Sequence, residues 1–235
     1  MRWTDFGSDP NTADVVNWRA QGVRRARAQP ISDRIEYIKQ LAANKRVLDV
    51  GVVDHTIGHQ HSADWLHGAI ASVAASVVGV DVLPEAVQAL QKEGYNVRLW
   101  DVTQKPLDEQ FELIVVGEVI EHLGCPGLLF ESARKMLVAG GRILLTTPNP
   151  YYIARVRDGL LRGLNLDSVD HVTLLFPFGI AELSERAGLR LDRWRGLTGA
   201  TPRGMKGRIA LSMLQLLPFS RETFCNTLIY ECVPQ

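Results

Sequence analysis

The chain has 235 residues, 46% of them hydrophobic, which suits one globular domain with a full core or one domain with an extension. Its 26 basic and 26 acidic side chains cancel, so no net positive field gathers nucleic acid. Cys125, Cys225 and Cys232 show no close metal spacing and read as free thiols in a reducing cytoplasm. The polar and acidic start, MRWTDFGSDPNTADVV, is unlike a secretory signal, and no run of about 18 apolar residues suggests a spanning helix.

Residues 11–43 read as helical, with a break at Pro30. Trp18, Val23 and Ala26 alternate with Arg19, Arg24, Arg25 and Arg27, and a second helix from Ser32 to Ala43 presents Ile35, Ile38, Leu41 and Ala42 at helical spacing. The arginines read as a solvated face, or as a lid over an anionic substrate. We therefore treat 1–43 as a helical extension or lid, and 44–235 as the main domain.

That domain opens with Val47, Leu48 and Val50, an apolar run ending at Gly51. Such a run suits a strand buried on both faces of a parallel sheet, and the glycine lets a ligand approach the backbone. Ser62 is placed to cap a following helix, completing strand, glycine turn and helix, the first unit of a nucleotide-binding α/β domain. The glycine pattern is incomplete, with Val53 and His55 where a dinucleotide site would carry small residues. A ligand without phosphates tolerates that loss better than NAD does. His55, His59, His61 and His67 crowd this stretch, but their spacing fits no standard zinc pattern and no metal is assigned. They read as a polar loop at a ligand mouth.

A second strand, Ser76–Asp81, ends in an acid and leads into a helix opened by Pro84. Two oxygens of Asp81 can accept both hydroxyls of an adenosine ribose; the alternative is a loop or cap aspartate. A third strand, Tyr95–Trp100, precedes Asp101 and Val102, which can meet an adenine amino group and ring, or form a turn. The fourth, Phe111–Gly117, runs into Glu118-Val119-Ile120-Glu121-His122-Leu123. The next helix starts at Pro126 and is expected to end at Gly140-Gly141, before a fifth strand, Gly141–Thr146. Strands alternating with helices predict a doubly wound α/β fold.

VLDVG at 47–51, VVGVD at 77–81, the acid at 101, VVGEVIEHL at 115–123 and MLVAGGRILLTTPNP at 136–150 occur in one order and spacing. In that order they resemble the class I S-adenosylmethionine-dependent methyltransferases, over about residues 30 to 195, and look most like the ubiquinone-methylase-like branch that acts on small molecules. The resemblance implies a Rossmann-like, mostly parallel sheet of seven strands with an antiparallel last strand and helices on both faces. Arg190 to Trp194 and Thr227 to Val233 would be the last two strands. It implies S-adenosylmethionine as cofactor, with contacts at Asp49, Gly51, Val53, Asp81, Val82, Asp101, Val102 and Glu118. Gly51 would meet the methionine part, Asp81 the ribose, and Asp101 with Val102 the adenine; Glu118 would lie under the cofactor.

Methyl transfer from a sulfonium asks mainly for alignment, and a neutral hydroxyl acceptor also asks for a base. His122 and His171 are the candidates; each can equally be a hydrogen-bonded structural histidine. Thr147-Pro148-Asn149-Pro150-Tyr151 resembles a base-amino methylation motif but follows the fifth strand instead of the fourth and lacks paired prolines. A small-molecule acceptor (a sugar, a lipid-linked saccharide or a secondary metabolite) is expected, most simply methylated at oxygen. Residues 196–221 read as a cap-like insertion, whose apolar face suits a substrate cap, a homo-oligomer contact or peripheral contact with a membrane. Two other readings stand beside the enzyme: a non-catalytic relative serving as a binding module, supported by the altered glycine loop, and an NAD-linked oxidoreductase or epimerase. The second is weakened because Tyr151 is followed at the Tyr-x-x-x-Lys distance by Arg155.

Overall fold

A computed structural model describes residues 2–53, 61–62, 64–164, 168–198 and 220–235. His55, His59 and most of the 196–221 insertion lie outside the described residues. Seven strands form one sheet in the order β3-β2-β1-β4-β5-β7-β6. They are β1 (Arg46–Val50), β2 (Ser76–Asp81), β3 (Val97–Leu99), β4 (Phe111–Gly117), β5 (Leu137–Pro148), β6 (Leu189–Thr198) and β7 (Cys225–Pro234). The first five are parallel, and β7 runs antiparallel to both β5 and β6. The expected mostly parallel sheet with an antiparallel last strand is therefore present.

Strand periodicity splits the apolar residues between two cores. Leu48, Val50, Ile114 and Val116 face one side, where Phe130 and Met136 of helix α5 (Pro126–Met136) cover them. Val47, Leu113 and Val115 face the other, against Ile38 and Ala42 of α2 (Arg34–Ala42) and Ile70 of α3 (Leu66–Ala71). Burial on both faces is why β1 and β4 read as continuous apolar runs. The strand order reverses between β1 and β4, and the crevice at their carboxyl ends is where doubly wound sheets hold ligands.

Two local expectations are corrected. The helix before β5 stops at Met136, and Gly140-Gly141 lie inside the strand. Gly140 has φ +78° and the β4–β5 register shifts beside it, so the glycines form a bulge, not a helix cap. Either role needs a left-handed backbone, so composition does not separate them. The helix after β1 begins at Leu66 with Trp65 at its cap, leaving Ser62 in the preceding turn. Helix α4 (Pro84–Lys92) does start on its proline. Two further helices, α6 (Ile153–Arg162) and α7 (Pro177–Arg186), follow β5.

The N-terminal arginines are not one solvated face. In α1 (Ala13–Ala26), Arg19 is buried with Val15 and Val23. Its Nη1 donates to Glu185 Oε1 at 2.7 Å and its Nη2 to Glu182 Oε2 at 2.8 Å, both on α7. Arg27 Nε donates to Glu222 Oε1 at 2.8 Å. The segment between the helices adds to the outer edge of β6: Ala28 N donates to Trp194 O at 2.8 Å, Ile31 N to Gly196 O at 3.0 Å, and Thr198 N to Ile31 O at 2.8 Å. Covering that edge shields strand hydrogen-bonding groups from other chains.

Removing one partner of a buried ion pair strands the other charge. Arg19→Ala should therefore cost about 3 kcal/mol, at the low end of such losses because both glutamates keep some solvent. Urea denaturation of the two proteins checks this; an unchanged midpoint would mean α1 is not anchored by this pair.

Candidate active site at the strand ends

A cavity of about 670 Å³ opens at the carboxyl ends of β1, β2 and β4, within the usual range of about 300–1,000 Å³ for small-molecule sites. All ten residues singled out from the sequence line it: Asp49, Gly51, Val53, Asp81, Val82, Asp101, Val102, Glu118, His122 and His171.

Gly51 has φ +79°, and a Cβ there would lie 2.2 Å from Val119 Cγ2. Only glycine lets the β1 turn and the segment after β4 approach so closely. Asp49, two residues earlier in β1, is buried and meets His67 Nδ1 at 2.9 Å. His67 thus leaves the expected polar loop and enters the core on α3, whereas His61 stays exposed, 3.7 Å from Glu93.

Asp81 ends β2 with its carboxylate fixed by backbone amides. Oδ2 accepts from Val53 N at 2.9 Å, and Oδ1 from Val82 N at 2.7 Å and Leu83 N at 3.1 Å. This explains how Val53 can replace a small residue: its amide, not its side chain, serves the site. Asp101 takes Thr103 N at 2.8 Å and Thr103 Oγ1 at 2.6 Å, both on Oδ1. Val102 is buried and Val82 exposed beside them.

Glu118 is a non-glycine residue at φ +54°. Its amide donates to Thr146 O at 3.0 Å and Thr146 Oγ1 at 3.2 Å, so β5 holds the unusual backbone in place. Such strain tends to gather at functional sites. Arg34 of α2 comes within 3.6 Å of Glu118 Oε1 and is the one described residue of 1–43 that lines the cavity.

A 3-10 turn, Ile120–His122, then sends Glu121 inward and His122 toward the cavity. Glu121 is fully buried and accepts from Thr147 Oγ1 at 3.1 Å. Burial first, and the nearby charge of Glu118 second, push its carboxyl up to about 8. His122 Nδ1 lies 3.1 Å from Asp170 Oδ2. The His171 ring stands edge-on to His122 with centroids 4.8 Å apart. Glu121, His122 and His171 bring one ligand atom each within 4.8 Å of one another, close enough to share a cation.

Arg34, Glu121 and Asp170 were not given roles from the sequence. Glu121 stands in the EVIEHL run, three residues after Glu118, where a tight turn would place both acids on one side. Nothing local marked Arg34 or Asp170; they reach the site only through folding.

A family model for the methyltransferase domain matches residues 23–193, most of the chain. The chain belongs to that family. It is a class I S-adenosylmethionine-dependent methyltransferase. The ubiquinone biosynthesis O-methyltransferase of Pseudomonas syringae pv. tomato is 28% identical over 194 residues, covering 74% of this chain and 80% of that protein. The Pseudomonas putida protein of the same description is 28% identical, covering 70% and 74%. Among solved structures, the N-methyltransferase NodS of Bradyrhizobium japonicum in complex with S-adenosyl-l-homocysteine shares the fold, with TM-score 0.52 at 15% identity over 95% of this chain and 89% of that one. The YcgJ protein of Bacillus subtilis does so with TM-score 0.55 at 20% identity, over 86% and 97%. No helix of the described residues is long and apolar enough to cross a membrane.

Two predictions concern this methyltransferase directly. Glu121 holds its proton longer folded than unfolded, so its stabilising contribution is full below about pH 4.5 and is lost as pH rises toward 8. Glu121→Gln should flatten the fall in stability between pH 5 and 8, seen in thermal denaturation at several pH values; parallel curves would contradict it. Gly51→Ala combines a left-handed backbone with a clash and should lower both melting temperature and cofactor affinity, measured by calorimetry.

Proposed function

We propose that this methyltransferase transfers a methyl group to an oxygen of a small molecule, with the cofactor held at the strand ends and His122 as the base. The observation that carries the reading is the set of acids at strand ends, Asp81, Asp101 and Glu118, lining one cavity together with His122 and His171. The cofactor supplies a sulfonium-bound methyl group that a nucleophile can take by direct displacement.

In this reading Asp81, already aligned by three amides that leave one lone-pair site on Oδ2, accepts a ribose hydroxyl there. Asp101 accepts the adenine amino group, with Val82 and Val102 against the ring and nucleoside. Asp49 supports the turn at Gly51, where the aminoacyl end approaches the backbone, and Val53 contributes its fixed amide. Arg34 offers a cation to the aminoacyl carboxylate, and Glu118 receives the ammonium side. His122 takes the acceptor's proton, and His171 packs beside it or serves as the second base. The small-molecule reading also draws on the two Pseudomonas relatives named as O-methyltransferases.

We take residues 1–43 as an extension and 44–235 as the methyltransferase domain. A cytoplasmic setting is supported by the free thiols of Cys125, Cys225 and Cys232. The competing reading, a binding module without catalysis, is opposed by Glu118: a domain relieved of its ligand has no reason to keep a carboxylate on a positive-φ backbone facing a cavity.

Calorimetry with S-adenosylmethionine, S-adenosylhomocysteine and NAD tests the cofactor part. The first two should bind and NAD should not. Asp81→Ala removes a charge-assisted bond of about 1.5–3 kcal/mol and should weaken binding by at least tenfold. Equal affinity in the variant would remove the ribose assignment. Transfer of labelled methyl to no acceptor in a metabolite extract, despite tight binding, would favour the binding module.

A further inference from the structure

We propose that helix α6 and the segment leading from it to α7 form a docking surface for an anionic lipid bilayer, which the chain contacts peripherally. The proposal goes beyond the methyl-transfer reading and does not rest on any residue placed in the reaction.

An amphipathic helix on a globular domain turns its apolar stripe to the core. Helix α6 does the reverse. Its sequence, IARVRDGLLR, sets Ile153, Val156 and Leu160 on one side and Arg155, Asp158 and Arg162 on the other. Yet no residue of the helix is buried. Leu160 is 81% exposed, Leu161 77%, and Leu164, just past the helix, 61%. The Asp158 side chain, by contrast, is only 15% exposed. Polar groups do the anchoring. Arg155 Nη1 donates to Asn149 O at 3.0 Å and to Asn226 O at 3.3 Å, beside the end of β5 and at the start of β7.

The apolar surface continues toward the cavity. Tyr151, just before α6, and Phe176, just before α7, are both exposed, and their rings meet with centroids 4.9 Å apart. Val169 and Val172 are exposed on either side of Asp170 and His171, which line the cavity. Monomers rarely leave so many large apolar side chains of one region in water unless that region meets a partner or a membrane.

Charge selects the occupant. The exposed side chains of Arg157 and Arg162 share one carboxylate: Asp158 Oδ1 accepts from Arg157 Nη2 at 2.8 Å, and Arg162 Nε stands 4.0 Å from it. Two cations over one acid leave a positive surface among leucines. That combination lets a helix lie in the headgroup region of anionic lipids with its aliphatic side chains just below. A second copy of the chain would bring the same arginines to the contact and no exposed acid of this helix to meet them. No helix of the described residues can cross the bilayer, so the contact is peripheral.

The test uses the full chain and sedimentation with lipid vesicles. Vesicles of equal parts phosphatidylglycerol and phosphatidylcholine should carry the protein down, and vesicles of phosphatidylcholine alone should carry far less. Leu160→Glu should lower the partition coefficient on the anionic vesicles by about tenfold or more. Arg157→Gln should lower it by about fivefold, and added salt should weaken binding of the native protein. Both side chains stand in water, so the melting temperature and the affinity for S-adenosylmethionine should stay unchanged in the two variants. Failure of the native protein to bind the anionic vesicles overturns the proposal, as does equal binding by native and Leu160→Glu proteins. A dimer in light scattering that Leu160→Glu dissolves, with no native protein recovered on the vesicles, also overturns it, since a second copy would then cover this face.

Discussion

The site depends on one close approach. Gly51 at the end of β1 and Val119 just after β4 meet at a distance that no Cβ would allow. That contact sits at the switch in strand order, where the two halves of the sheet diverge and leave a crevice. Because β1 and β4 are buried on both faces by Ile38 and Ile70 on one side and Phe130 and Met136 on the other, their ends cannot separate. The 3-10 turn carrying Glu121 and His122 is therefore placed by core packing, not by loop chemistry.

Around that contact the structure gathers like charges and holds them by neighbours. Glu118 sits on a backbone that β5 fixes through Thr146, with Arg34 as its counter-charge. Glu121 accepts from Thr147 on its buried carboxyl, and it keeps its proton to about pH 8 through burial and the charge of Glu118. Burying two carboxyl groups side by side is costly unless one is neutral. A protonated Glu121 beside Glu118 relieves that cost, and two histidines line the same cavity.

The helices before β1 reach this arrangement from two directions. Its first helix is anchored on α7 by Arg19, and the strand-like stretch after it covers β6. The second helix lies under the sheet and delivers Arg34 to the cavity. The peptide bonds of 172 and 173 tie the loop before α7 to Glu121. One contiguous packing path thus links α1, α2, α7 and the site.

The first five strands, the Gly51 turn and the acids at 81, 101 and 118 were legible in the sequence, because they follow from local rules. A parallel strand buried on both faces has to be apolar, and a ligand-facing strand end has to carry something polar. The bulge at Gly140 was misread as a helix end because both structures call for the same backbone freedom. Arg19, Arg34, Glu121, His67 and Asp170 were undecided for a different reason. Each owes its state to a partner distant in the chain: Glu182 and Glu185, Glu118, Thr147, Asp49 and His122. Local spacing marked the first five strands and the acids at their ends, while the antiparallel last strand followed only from the family resemblance. Which charges are buried, and which histidine has a carboxylate behind it, was decided only when distant segments packed, since desolvation and ion pairing depend on neighbours in space.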